Sequence, residues 1–185
     1  EEAGCKVLLA QKAYSLYATY PLISQYLSGT TASGLYEARL GREEFGGEVH
    51  VFAPAFKDSV IDQVLEVSDH IVFNSERQLR KHLEKSRAAG VSVGLRINPE
   101  HSTQGDHALY DPCAPGSRFG LTLGKVSPEL VSLVDGLHFH TLCEQDADDL
   151  AATLKVVEDK FGGYLHQVKW LNMGGGHHIT REDYD

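Results

Sequence analysis

A strict alternation of two kinds of stretch limits what this chain can fold into. Short apolar runs rich in β-branched residues recur at residues 7–10, 29–33, 49–53, 70–74, 91–97, 136–142 and 168–173. Each is too short for a helix and too dry for a loop, so each is expected to be a buried strand. Between them, apolar spacing predicts helices over 16–27, 35–45, 60–67, 76–89, 128–134 and 146–161. Pro21 suits the first turns of the first helix, Gly46-Gly47 and Gly90 end two others, and Asn74-Ser75 and Ser127 are placed to cap. Residues 100–118 break the rhythm with a polar, Pro- and Gly-containing loop longer than a usual strand-to-helix connection. Long loops in such folds tend to carry function.

Strand–helix alternation implies a parallel α/β fold, and seven strands suit either an open doubly wound sheet or most of a (β/α)8 TIM-type barrel. The chemically unusual residues decide between them. Lys12, Ser33, Asn74, Arg96, His140 and the run from Gly174 all follow strand ends. A barrel gathers those ends at one mouth, whereas an open sheet spreads them along an edge. The expectation is a single, unfinished barrel domain over residues 1–185, with no repeat or interdomain linker. A formal charge of −9 argues against nucleic acid and is compatible with a cationic substrate such as a polyamine. No apolar run is long enough to cross a bilayer, and the first residues lack a basic leader. Three widely spaced cysteines, Cys5, Cys113 and Cys143, fit a reducing compartment, so a cytoplasmic location is expected.

Several residues have chemistry to offer. A lysine with its stem on a core strand and its amine at a rim can be desolvated enough to act as a nucleophile or Schiff-base former, and Lys12 is so placed; the alternative is a surface lysine. Gly174-Gly175-Gly176 lets backbone amides approach an anion such as a phosphate, or simply makes a tight turn. His138 and His140 share a strand face. They suit a metal centre with His177, His178 and either Cys143 or Glu144, a satisfied core, or an imidazole lying flat on a cofactor ring. Spacing leaves all three open. Arg96 offers a planar fork to a phosphate or carboxylate, or pairs with a nearby acid. Glu37 and Arg39 belong to a site or to a solvated helix face. Cys113 is stiffened by Pro112 and Pro115, with nothing evident to lower its pKa.

Taken together, six stretches resemble the carboxynorspermidine/carboxyspermidine decarboxylases. They are residues 9–15 (LAQKAYS), 29–38 (GTTASGLYEA), 94–99 (GLRINP), 117–120 (SRFG), 136–145 (GLHFHTLCEQ) and 171–180 (LNMGGGHHIT). The wider group is the pyridoxal-phosphate enzymes with an alanine racemase-like barrel, which include ornithine and diaminopimelate decarboxylases. The resemblance implies that Lys12 holds pyridoxal 5'-phosphate as a Schiff base and that His140 stacks on its ring. It implies that Gly174, Gly175 and Gly176 bind the phosphate, with Arg96 and Cys143 nearby. It places Glu37, Glu144 and His178 toward the substrate, a carboxylated polyamine, and implies a homodimer at full length. No metal is implied. The family's acidic partner for the pyridine nitrogen, its C-terminal β-domain with a cysteine proton donor, and the strand before the lysine strand have no counterpart in these 185 residues. A piece truncated at both ends, with little turnover of its own, is therefore expected. The rival readings are a metal-dependent barrel hydrolase built on His138, His140, His177 and His178, and a non-catalytic cofactor-binding relative.

Overall fold

A computed structural model describes residues 3–105, 108–182 and 184. Its sheet has seven strands in chain order, and every registered pair is parallel. Parallel neighbours need a crossover between them, and the amphipathic stretches supply it. The chain divides into two compact units, residues 1–73 with 77–93, and residues 74–76 with 94–185.

The first unit contains β1 (Leu8–Ala10), β2 (Gly29–Ala32), β3 (Glu48–Phe52) and β4 (His70–Phe73). β3 shows why the period of two matters: Val49 and Val51 are buried, while Glu48, His50 and Phe52 on the opposite face are half-buried. Ile61, Val64 and Leu65 of helix α3 (Ile61–Glu66) and Leu79 and Leu83 of α4 (Glu76–Ala88) complete the apolar layer. The helix expected over 16–27 is not one element. A 3-10 turn at Tyr17–Thr19 leads into a single α-turn, α1 (Tyr20–Ile23), with Pro21 as its second residue. Leu16 and Leu22 are exposed, and Tyr20 alone is fully buried, edge-on to Phe45 at 5.4 Å. One aromatic anchor replaces the expected stripe. Residues 35–45 likewise split into α2 (Leu35–Leu40) and a wide turn, Gly41–Phe45, closed by Gly46 in the left-handed region. His82 is buried beside the Phe73 ring, and burial pushes its pKa below the ordinary histidine value.

The second unit holds most of β5 (Ser92–Arg96), with β6 (Gly136–His138), β7 (Trp170–Asn172), α5 (Pro128–Val131) and α6 (Ala147–Leu165). Ser127 caps α5 by accepting from Leu130 N–H at 3.1 Å, as expected. Asp146 and Asp149 form a reciprocal capping box on α6. The Asn74 side chain donates to Arg118 O (2.8 Å) and accepts from Gly120 N–H (2.9 Å), clamping the 117–120 loop. β6 is shorter than expected and stops at His138, so His140 stands beyond the strand. Gly94, Gly136 and Trp170 occupy one row across β5, β6 and β7. The indole lies over both glycines: a Cβ at Gly94 would come within 2.3 Å of it and one at Gly136 within 2.0 Å. The sequence pays for a flat aromatic layer with two side-chain-free positions.

Gly136→Ala should therefore cost about 3 kcal/mol in denaturant unfolding, through overpacking of the indole. Trp170→Ala in the same chain should recover part of that loss. Stability should also fall as pH drops below about 6.5, because the unfolded chain protonates His82 before the folded chain does. Urea midpoints across pH 5–8 should show a shallower acid slope for His82→Gln.

Candidate active site

In the first unit the chain leaves β1 through Gln11. Its N–H continues the sheet ladder to Thr31 O (3.1 Å), and its buried amide donates to Tyr20 Oη (3.3 Å). Lys12 follows in a turn fixed by Ala13 and Tyr14 N–H groups on Ala10 O. Burial falls on Gln11 and not on Lys12, whose side chain is exposed; the desolvated lysine expected from the strand pattern is not seen in this unit. Glu37, in the first turn of α2, accepts from Ser33 N–H at 2.6 Å and so secures the helix start.

The second unit assembles a tighter constellation. Arg96, the last residue of β5, is buried; its Nη2 donates to His140 O at 3.1 Å and its guanidinium lies 4.7 Å from the Phe119 ring centroid. Burial lowers its pKa to about 10, so it stays charged at neutral pH. Arg96 thus grips the backbone of the neighbouring loop where sequence offered a phosphate or an acid. Phe139 N–H continues the ladder to Asn172 O (3.0 Å), and Gly175 N–H donates to His140 Nδ1 at 3.1 Å. Nδ1 must then be the unprotonated nitrogen, which puts the proton of the neutral ring on Nε2. Gly175 thus fixes the tautomer of the His140 ring, while Arg96 holds the backbone of the same residue.

The glycine run makes this clasp. Gly174 and Gly176 have positive φ, 75° and 100°. A Cβ at Gly174 would lie 2.6 Å from Phe139 O and 2.7 Å from His140 Nδ1, and one at Gly176 would lie 2.1 Å from Leu142 O. At Gly175 a Cβ would meet nothing within 4 Å. Gly174 N–H is held by Asn172 Oδ1 (2.8 Å). Two of the three amides expected to face a phosphate therefore serve the loop itself. The close-packed inner side and clear outer side still fit a cradle for an anionic group.

Beside this loop lies a cavity of about 570 Å³, lined among others by Cys143, Glu144, Tyr110 and Arg181. Cys143 and Glu144 are exposed, and Glu144 adopts a left-handed φ of 55°. His178 is exposed next to the loop, its N–H on Gln145 O at 3.0 Å. The sequence reading missed Gln145. Its Nε2 donates to Thr103 Oγ1 (2.5 Å), its Oε1 accepts from Gln104 Nε2 (2.5 Å), and its own N–H donates to Gly176 O (3.0 Å). It latches the long 100–118 loop to the glycine run. Its only signal was its place directly after Cys143-Glu144, within one of the resembling stretches. Burial pushes the Cys113 thiol pKa up, which removes it as a thiolate nucleophile. Among the described residues, His138, His140, His177 and His178 do not converge as a metal centre; the only such group is Glu48, His50 and His70.

No family model matches the chain. The Campylobacter jejuni carboxynorspermidine/carboxyspermidine decarboxylase is 43% identical over 185 residues, covering all of this chain and 48% of that protein. The chain is a relative of the carboxynorspermidine/carboxyspermidine decarboxylases. A carboxyaminopropylagmatine decarboxylase from Synechocystis is 42% identical over 186 residues, again covering this whole chain and 48% of the other. This chain spans about half the length of the curated relatives it matches. The crystal structure of the Campylobacter jejuni carboxynorspermidine decarboxylase complexed with norspermidine superposes with a TM-score of 0.85 at 42% identity, over 98% of this chain and 46% of that one. A diaminopimelate decarboxylase (TM-score 0.77, 17% identity, 100% of this chain and 46% of that chain) shares the fold. The fold is the alanine racemase-like barrel, of which this chain supplies seven strands.

The glycine geometry separates three neighbouring positions. Gly174→Ala and Gly176→Ala should each cost about 2 kcal/mol or more, from strain at positive φ and backbone collision, whereas Gly175→Ala should cost less than about 1 kcal/mol. Chemical denaturation of the three variants measures the difference.

Proposed function

We propose that this chain carries the cofactor-binding part of a pyridoxal-phosphate-dependent decarboxylase acting on a carboxylated polyamine, carboxynorspermidine or carboxyspermidine, within polyamine biosynthesis. The observation that carries the reading is the clasp of His140 by Gly175 and Arg96, in a chain 43% identical throughout to a decarboxylase of that substrate class. Pyridoxal phosphate, when bound, supplies an electron sink for the bond to the departing carboxylate. The chain's residues do the rest. Lys12 would provide the amine that holds the cofactor. His140, fixed in tautomer, presents a flat face for the ring. The Gly174–Gly176 turn receives the phosphate on its clear side, with Cys143 beside it.

Arg96 acts as a positioning residue, because its guanidinium holds His140 O. Glu37, Glu144 and His178 are assigned to the substrate, and Glu144 stands at the cavity wall where a carboxylate can meet a polyamine ammonium. The full-length protein is a homodimer in this reading. The metal-hydrolase reading is not favoured, since its four histidines do not converge among the described residues. No described helix is long and apolar enough to cross a membrane.

Borohydride reduction of the full-length protein loaded with pyridoxal phosphate should fix the label on Lys12, as peptide mapping would show. Lys12→Arg should lower carbon dioxide release from carboxynorspermidine by at least about a thousandfold. Undiminished release, or a label on another lysine, would refute the assignment.

A further inference from the structure

The opposite ends of the strands carry a second constellation that the proposed decarboxylation does not use. Glu48 and His50 are the first and third residues of β3, so their side chains share a face. His50 stands in register with His70, the first residue of β4. The two imidazoles stack, with centroids 4.0 Å apart and planes 8° from parallel. His50 Nε2 lies 3.1 Å from Glu48 Oε2. One donor atom from each of the three residues falls within 4.8 Å of the other two, and all three residues are half-buried. Lys12 leaves β1 at its C-terminal end; this group sits at the N-terminal ends of β3 and β4.

We propose that Glu48, His50 and His70 form a binding site for a divalent transition metal of the zinc class, which ties together the N-terminal ends of β3 and β4. Two imidazoles and one carboxylate are the donor set that such an ion takes in protein sites, with water completing a tetrahedron. Metal–ligand bonds of about 2.0–2.1 Å at tetrahedral angles put neighbouring donors about 3.3 Å apart. The Glu48–His50 pair is already at that spacing; the His70 donor lies within 4.8 Å of both, and one imidazole must turn out of the stack to bring its in-plane lone pair onto the ion.

Among the described residues, Lys6 and Asp69 also face the group. The Lys6 ammonium pairs with Glu48 Oε1, the oxygen that His50 does not use. It shares the carboxylate with the ion and works against it. Asp69, next to His70, is occupied: its Oδ2 accepts from Arg42 Nη2 (2.6 Å) and from Val49 N–H (2.8 Å). It adds negative potential without serving as a ligand. The site is therefore structural, and its affinity is tuned by Lys6.

The test is calorimetric titration of the intact, dialysed protein with zinc chloride, repeated with cobalt chloride to read ligand-field absorption. One equivalent should bind at about micromolar Kd or tighter, with a cobalt spectrum of tetrahedral intensity. His70→Ala should weaken binding by at least about thirtyfold, and Lys6→Ala should tighten it several-fold. Replacing both His177 and His178 with Ala should leave the affinity unchanged. If His70→Ala does not fold, His70→Gln and His50→Gln take its place, with the same expectation. The proposal is overturned by absence of a saturable site tighter than about 100 μM. It is equally overturned by affinity that survives loss of either histidine, by affinity no higher in Lys6→Ala, or by affinity that vanishes with His177 and His178.

Discussion

Where residues 139–142 meet residues 174–176 there is no room for a side chain, and the candidate site in this unit depends on that contact. A peptide N–H can reach an imidazole nitrogen only if the intervening chain has no Cβ in the way. Gly174 and Gly176 remove the obstruction, and Gly175 then delivers its N–H to His140 Nδ1. From the other side Arg96 secures the same residue by its carbonyl. Sheet register sets up the encounter, because His138 pairs with Asn172 and the two chains leave β6 and β7 side by side. The histidine's position thus follows from backbone geometry more than from its own packing.

This changes what the glycine run is for. A run of glycines after a strand suggests amides aimed at an anion. Here two of those amides are already committed inside the protein. The run shapes a surface first, and any phosphate it receives meets a turn already held rigid by Asn172, His140 and Gln145. Rigidity of that kind lowers the ordering cost of binding.

The alternation of apolar and amphipathic stretches was enough to read all seven strands and the parallel arrangement, because each strand is a short apolar run bounded by turn residues and followed by a crossover helix. Helix lengths were less legible. Over residues 16–27 the apolar spacing suggested a stripe, yet Tyr20 alone is fully buried, and spacing cannot weigh one aromatic against two exposed leucines. Strand ends were overextended for the same reason: Phe139 and Leu142 are buried without being in a strand. Of the site, Arg96, His140 and the glycines were visible from sequence, but their mutual bonds were not. The Gln145 latch is long-range by nature, joining residues 41 and 42 positions apart. The Glu48–His50–His70 group was equally hidden, because it needs the register between two strands that sequence alone does not supply.

Trp170 is the single tryptophan of the chain, and it lies half-buried across two glycines of one unit. Its emission is thus a natural optical gauge of whether the β5–β7 row is closed. Melting followed at that wavelength reports residues 94–185 and is blind to the lysine-bearing unit. Any disagreement with circular dichroism would reveal that the two parts come apart separately.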